Sequence, residues 1–333
     1  MSDKMIHEHG RDGQDNDGIE RRGFLKCMAW AGTGLLWTMS GGVLTSCALR
    51  PGSNEAVKGV FSFVQISDSH IGFNKAPNQD VTATLQEAIS RINALPEQPA
   101  FLIHTGDLSH LSKPEEFDTV AQVLKSSKAN QVYYVPGEHD VFVDEGKQYL
   151  ERYGKGTQGK GWHSYDYKGV HFIGLNNVMG AGTGAGGGVV AGGGNEGLGL
   201  LGQEQLDWLK KDVSGLSSST PIVVFAHVPL WTVYPQWGWG TEDSEQALAL
   251  LKNFGSVTVL NGHIHQILQK VEGHVTFHTA RSTAFPQPVP GTAPAPGPMK
   301  DVPAEKVRSM LGLTKVTYVE INSPLAVVDS TLA

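Results

Sequence analysis

The sequence predicts an α/β fold with parallel strand pairings. Three observations predict it. Short apolar runs alternate with segments of helical periodicity, in strand–helix–strand–helix–strand order, from residue 60 to 135. The apolar runs are brief and β-rich, as buried strands are. Polar motifs stand directly after those runs, where α/β folds place functional groups on loops over a rigid sheet.

Each element has its own reason. Residues 60–67 form a β-rich apolar run bounded by a polar turn. Val81, Leu85, Ala88, Ile89, Ile92 and Leu95 recur at helical spacing, so residues 79–95 read as an amphipathic helix. Residues 100–104 read as a second buried strand. Pro114 suits the first turn of a helix that turns Phe117, Val120 and Leu124 inward. Residues 131–135 make a third strand. Residues 163–167 and 170–175 flank Lys168-Gly169, a hairpin turn. Residues 180–199 are dominated by glycine and match neither a phosphate loop nor a dinucleotide fingerprint, so they read as a flexible loop. Residues 203–213 read as a helix with Leu206, Leu209 and Val213 on one face. Residues 221–226 and 256–260 are further buried strands. Residues 266–271 and 275–279 form a hairpin around Glu272-Gly273, residues 285–300 are proline-rich and irregular, and residues 315–321 make a late strand.

Composition limits the chemistry. The 333 residues carry a formal net charge of −7, with 40 % hydrophobic and 18 % charged residues, ordinary values for a soluble globular protein. Mild acidity argues against dedicated nucleic-acid binding, which shows a basic face. It leaves room for a small phosphorylated substrate, because a bound cation reverses the local field. The two cysteines are Cys27 and Cys47. No disulfide framework or thiolate metal site is therefore available beyond them, and a metal must be held by His, Asp, Glu or Asn.

The N-terminal fifty residues read as an address. Residues 1–26 are a polar segment ending in Arg21-Arg22-Gly23-Phe24-Leu25-Lys26, and residues 27–47 are uncharged and mildly apolar. The paired arginines before a weak apolar run resemble a twin-arginine signal, which implies the twin-arginine export machinery as a partner. A transmembrane anchor is the other reading; its length fits, but its glycines and few large aliphatics do not. Leu44-Thr45-Ser46-Cys47 resembles a lipobox with Cys47 as the lipidated residue, against a plain cleavage site nearby. The expected location is outside the cytoplasm, periplasmic or membrane-attached through Cys47. Residues 48–58 read as a linker and residues 59–329 as the functional domain.

Five motifs carry the chemistry: Asp68-Ser69-His70, Gly106-Asp107, Gly137-Glu138-His139-Asp140, His227 and Gly262-His263-Ile264-His265. In Asp-x-His and His-x-His, an extended segment would send both side chains the same way. Each motif alone is weak, since a lone histidine after a strand is commonly a hydrogen-bonded structural residue. Together they supply hard and borderline donors for two divalent or trivalent ions.

This order of motifs resembles that of the calcineurin-like metallophosphoesterases, from about Val60 to His265. The resemblance implies a four-layer αββα sandwich of two mixed sheets flanked by helices, with a dinuclear metal site at strand ends. It implies that Asp68, His70 and His265 bind one metal, that His227 and His263 bind the other, and that Asp107 bridges them. It places His139 beside the scissile phosphate, to stabilise the transition state or protonate the leaving oxygen. The metals would come from Fe, Mn or Zn. Glu138 departs from the family's asparagine. Three readings stand for it: a carboxylate ligand that favours a more highly charged ion, a side chain turned away, or a gap filled by water. His110 stands where the purple acid phosphatase branch has a tyrosine ligand, so no tyrosinate–iron colour is expected.

Two ions roughly 3.5–4 Å apart would polarise the phosphoryl oxygens and lower the pKa of a bridging water, whose hydroxide attacks phosphorus in line. Trp231, Tyr234, Trp237 and Trp239 lie between His227 and His263. They read either as a stacking surface for a nucleobase or aryl group or as a cover over the core. Lys and Arg are sparse around the motifs, which favours phosphodiesters over phosphomonoesters; the resemblance also takes in cyclic-nucleotide phosphodiesterases, which share the aromatic loop and the Asn-Gly-His-x-His form from Asn261 to His265. The competing expectations are a weak or inactive metal-binding relative, its second site spoiled by Glu138, and a surface interaction protein, which leaves the five motifs unexplained.

Overall fold

The computed structural model describes residues 61–129, 131–141, 143–178, 198–319 and 325–333. The twin-arginine segment, Cys47, the linker and most of the glycine-rich stretch lie outside the described residues, as does the end of the late strand.

Two mixed sheets form the centre. In the first, β1 (Phe61–Ile66), β2 (Leu102–His104), β3 (Val132–Tyr134), β10 (Gly312–Tyr318) and β11 (Ala326–Thr331) run in the order β11-β10-β1-β2-β3. The β1–β2 and β2–β3 pairs are parallel and β1–β10 is antiparallel. In the second, β4 (His163–Tyr167), β5 (Val170–Gly174), β6 (Ile222–Phe225), β7 (Val257–Asn261), β8 (Gln269–Glu272) and β9 (Val275–Thr279) run in the order β4-β5-β6-β7-β9-β8. Three adjacent pairs there, β5–β6, β6–β7 and β7–β9, are parallel.

The central strands β1, β2, β5, β6 and β7 are buried on both faces, which is why they read as continuous apolar runs rather than as alternation. One face of each sheet contributes to a shared core. Phe61, Phe63, Ile103 and Val316 of the first sheet pack with Phe172, Val223, Phe225 and Leu260 of the second. The opposite face of the first sheet carries Val64, Ile66 and Leu102, covered by α1 (Val81–Asn93) and α2 (Pro114–Leu124). The opposite face of the second carries Ile222, Val224 and Val257, covered by α5 (Gln203–Val213) and α6 (Ser244–Leu251). The result is four layers, helices–sheet–sheet–helices, as the family resemblance implied.

Local chemistry sets the element ends. Asp80 caps α1 by accepting the Ala83 N–H at 2.9 Å, a contact worth about 1 kcal/mol. Pro114 occupies the first turn of α2, where its missing N–H costs nothing. Lys168 and Gly169 both have positive φ, 46° and 80°, the conformation a tight hairpin demands. Shorter helices α3 (Glu138–Val141), α4 (Lys147–Tyr153) and α7 (Ala304–Met310) complete the described α-helices.

Candidate metal centre

The five motifs converge at the C-terminal ends of β1, β2, β3, β6 and β7. Parallel pairing brings these ends together on one edge of the sandwich. The loops are laced by backbone hydrogen bonds: Asp68 N–H to the Gly106 carbonyl (3.0 Å), His70 N–H to Asp107 (2.9 Å) and Gly262 N–H to His227 (3.0 Å).

The loops turn in a way that spacing did not predict. Asp68 and His70 are not extended; their φ angles are 53° and 41°, and those of His263 and His265 are 69° and 53°. Asp107 has φ 53°. Five of the eight non-glycine residues with positive φ among the described residues are therefore metal-ligand candidates. Such conformations cost about 1–3 kcal/mol each and persist where surrounding structure enforces them. The paired ligands converge by tight left-handed turns, not by strand alternation. Glycines make room for them. A Cβ on Gly137 would lie 2.0 Å from Asp107 Oδ1, and one on Gly262 would lie 2.0 Å from Ser67 Oγ and 2.7 Å from Asp68 Oδ2.

Two ligand groups share one carboxylate. Asp68, His70 and His265 form the first group, and Glu138, His227 and His263 the second. Asp107 Oδ2 lies 3.3 Å from His70 Nε2 and 3.4 Å from His227 Nε2, between the two. In the first group the Nε2 atoms of His70 and His265 are 3.2 Å apart, and His265 Nε2 is 3.2 Å from Asp68 Oδ1. In the second, Glu138 sets Oε2 2.8 Å from His227 Nε2 and Oε1 2.9 Å from His263 Nδ1. All these side chains are buried.

The donor set fits a pair of cations. His227 and His265 each donate Nδ1–H to a backbone carbonyl, of Thr105 and Phe285 respectively, both at 2.6 Å. That hydrogen bond turns the Nε2 lone pair of each ring towards the centre, as metal-bound histidines require. His227 Nε2, both ring nitrogens of His263 and Glu138 Oε2 are buried and, although Glu138 lies within 2.8–2.9 Å of both rings, make no well-directed hydrogen bond among the described residues. Buried polar atoms are rarely left so; all of these belong to the second group, and a cation there would satisfy His227, Glu138 and one nitrogen of His263.

The charges point the same way. Burial alone would raise the Glu138 carboxyl, yet the imidazoles of His263 and His227 hold it well below the usual carboxylate range. Asp68 is likewise opposed by burial but brought down to about 2 by His265 and His227. Burial would lower His227, but Asp107 and Glu138 raise it well above the ordinary histidine value. Burial, then His139 and His265, push His70 well below the ordinary value.

His139 stands at the mouth of this centre. Its Nδ1–H donates to the His110 carbonyl at 2.7 Å, which leaves Nε2 free. Its ring stacks on His110 at 4.8 Å and 16°. Burial would lower its pKa, but the carboxylates of Asp107 and Glu138 raise it. His110 also faces His70, Nδ1 to Nδ1 at 3.4 Å. Burial, with help from the His139 and Lys75 charges, pushes His110 down to about 4.

Several residues of the site carried no signal in the sequence. Asp140 is fully buried and accepts from Leu108 N–H (3.0 Å), Ser109 N–H (2.8 Å), Ser109 Oγ (2.9 Å) and Gly137 N–H (3.0 Å), clamping the Asp107 loop to the Glu138 turn. It stood inside a motif, but nothing in the spacing assigned it a partner. Glu116 accepts from the backbone N–H groups of His110 and Leu111 at 3.2 and 2.7 Å and so fixes the turn that carries His110. Phe285, from the proline-rich stretch, lays its ring against His70 (4.8 Å) and His265 (4.7 Å).

The centre opens into a cleft of about 330 Å³ lined by Phe73, Lys75, His110, His139, Phe285, Gln287 and Lys300, among others. Trp231, Tyr234, Trp237 and Trp239 are not among its lining residues. Trp239 is wholly buried, Trp231 packs on Phe277 at 5.0 Å, and Trp237 lies edge-on to both Tyr234 and Trp239. Trp231 thus packs on the second sheet, while Tyr234, Trp237 and Trp239 pack on one another. Cations are less sparse at the site than the motif flanks suggested, because Lys75 and Lys300 reach the cleft from segments apart from the motifs.

Residues 61–267 match the family model described as calcineurin-like phosphoesterase. The chain belongs to the calcineurin-like phosphoesterase family. A 3',5'-cyclic-nucleotide phosphodiesterase of Nostoc sp. is 24 % identical over 230 residues, 67 % of this chain and 79 % of that protein. A glycerophosphodiester phosphodiesterase of Enterobacter lignolyticus is 23 % identical over 214 residues, 63 % and 71 % of the two chains. Among solved structures, a dimetal phosphatase from Danio rerio superposes with a TM-score of 0.55 at 14 % identity, over 82 % of this chain and 99 % of that one. The likeness in structure shows a shared fold. This family of metal-dependent phosphoesterases implies a dinuclear metal site, and His, Asp and Glu side chains cluster at the strand ends described above.

Proposed function

We propose that this chain is an exported, metal-dependent phosphodiesterase with Asp107 as the carboxylate common to two metals. The observation that carries this reading is the position of Asp107 Oδ2, almost equidistant from His70 and His227 of the two groups. When bound, two divalent ions supply Lewis acids for the phosphoryl oxygens and lower the pKa of a water between them. Asp68, His70 and His265 would hold one ion; Glu138, His227 and His263 the other. Fe, Mn and Zn suit this nitrogen and oxygen set.

The chain's own groups do the rest. Asp140 and the glycine at 137 fix the loops, so the ligands need no rearrangement. His139 presents Nε2 to the cleft, within the site, to stabilise charge on the phosphoryl group or pass a proton to the leaving oxygen. Preference for diesters is supported by the curated relatives, both named as phosphodiesterases. Export rests on Arg21-Arg22 and the weak apolar run after them, and membrane attachment on Cys47.

One observation favours a second reading, a metal-binding protein with little or no turnover: Glu138 adds a third carboxylate to Asp68 and Asp107 and weakens the pull on an anionic substrate. Hydrolysis of bis(p-nitrophenyl) phosphate with Mn, Fe or Zn separates the two. Metal-dependent turnover supports the phosphodiesterase. Bound metal without turnover, with activity appearing in Glu138→Asn, supports the second reading.

A further inference from the structure

The two lysines of the cleft come from separate walls. Lys75 sits in the loop between β1 and α1. Lys300 ends the proline-rich strap 285–300, which lies beyond the family-matched residues 61–267. Neither ammonium has an ion-pair or hydrogen-bond partner among the described residues. The carboxylates lining the cleft are Asp107 and Glu138, both part of the metal-ligand set. In a chain of net charge −7, the cleft mouth thus presents two unneutralised cations.

The walls that carry them are tied together. Gln287 Nε2–H donates to the carbonyl of His263 at 2.8 Å, and Gln287 Oε1 accepts from Gly297 N–H at 2.9 Å. Met299 N–H donates to the Pro286 carbonyl at 3.1 Å. The strap is thereby folded back on itself, which delivers Gly297, Pro298 and Lys300 to the cleft. On the other wall, Asn78 is buried and donates Nδ2–H to Thr84 Oγ1 (3.0 Å) and to the Ala284 carbonyl (2.7 Å), joining the Lys75 loop to the root of the strap. Phe73 packs on Phe285 at 4.5 Å across the same seam. The lysine backbones are preorganised although their side chains are exposed.

We propose that Lys75 and Lys300 select a phosphodiester whose flanking group carries a second negative charge, such as a carboxylate. This rests on the phosphodiesterase reading above. A simple diester has one charge, and the metal centre meets it. The lysines are outside the ligand set, so they are free to attract a charge placed farther along the substrate. Because both are exposed, the attraction is modest and screened by salt.

The test compares two glycerophosphodiesters that differ by one carboxylate, glycerophosphoserine and glycerophosphoethanolamine, with bis(p-nitrophenyl) phosphate as a third substrate. The full chain is used, with Mn supplied. The ratio of kcat/KM for the serine over the ethanolamine ester should be about five- to tenfold at low salt, fall as salt rises, and approach unity in the Lys75→Met, Lys300→Met double variant. A ratio near one in the wild type, or one that the double variant leaves intact, overturns the proposal while bis(p-nitrophenyl) phosphate turnover upholds the underlying reading. Calorimetry gives a second readout without turnover. Phosphoserine should bind the wild type several-fold more tightly than phosphoethanolamine, and the double variant should bind them equally; equal binding to the wild type overturns the proposal. Loss of turnover on all three diesters sinks the phosphodiesterase reading, and the calorimetric comparison then decides the lysine pair alone.

Discussion

The backbone N–H of His139 donates to Oδ1 of Asp107 at 2.9 Å, which leaves Oδ2 alone to face His70 and His227. One hydrogen bond thus divides the work of a single carboxylate: one oxygen fixes its orientation and the other serves both ligand groups. It also ties the residue at the cleft mouth to the residue at the centre, so displacement of either moves the other.

Metal removal should cost stability as well as activity. Three carboxylates and four imidazoles are buried together, and a cation that binds only the folded chain stabilises it by mass action. At a hundredfold excess over Kd the gain is about 2.7 kcal/mol, which corresponds to a Tm shift of roughly 5–10 °C. Thermal melts with and without chelator check this, and an unchanged Tm would count against a buried metal centre.

Glu138→Ala should weaken the second metal more than the first. Glu138 touches His227 and His263, not His70 or His265. Loss of an outer-shell partner alone costs roughly 10–100-fold in metal affinity, so loss of a ligand should exceed that. Titration with metal, followed by elemental analysis, should find one tightly held ion in the variant. Two ions held as in the wild type would mean that Glu138 is turned to another task.

Asp140→Ala should destabilise the fold and not merely the chemistry. Its carboxylate satisfies three buried backbone N–H groups and the Ser109 hydroxyl. An unsatisfied buried donor costs about 1–3 kcal/mol, so the loss should reach about 3 kcal/mol or more in urea unfolding. A loss below about 1 kcal/mol would show that water replaces the carboxylate at little cost.

A pH effect on stability should arise far from the centre. His171 on β5 meets Asp166 of β4 at 2.8 Å and Asp212 of α5 at 2.9 Å. Burial lowers its pKa, but the hydrogen bonds to Asp212 and Asp166 more than offset this, and the pKa stands above the ordinary 6.5. The imidazolium therefore contributes stability that is fully present below about pH 6.5 and is lost as pH rises through the folded value. The Tm gap between wild type and His171→Asn should narrow as pH rises from about 6 to 8. A gap that stays constant would mean that His171 does not change charge in this window.

Much of the fold was legible because strands buried on both faces announce themselves as apolar runs, and β5, β6, β7 and β9 all fell where such runs stood. The clustering of Asp68, His70, Asp107, His227, His263 and His265 was legible because they stand at the ends of those runs. How they converge was not, since the left-handed turns at these residues have no pattern in residue type. The strap residues Phe285, Gln287 and Lys300 were hidden in a proline-rich stretch without periodicity, and their partners are backbone carbonyls and rings remote in sequence. The short helices α6 and α7 and the strand β11 were missed for a related reason: each is short and carries no long apolar run. The sequence left the four aromatics near His227 open between a stacking surface and a cover over the core, because nearness in sequence to a candidate ligand does not fix nearness in space to the cleft.

The bridge at Asp107 is tested most directly by counting metal per chain alongside turnover, in the wild type and in Asp107→Asn. The wild type should hold two ions per chain and hydrolyse bis(p-nitrophenyl) phosphate only with metal. The variant should hold fewer and lose activity by at least about a hundredfold. Two ions and full turnover retained in Asp107→Asn, or a wild type that takes up one ion or none and hydrolyses no diester, would contradict the dinuclear centre described above.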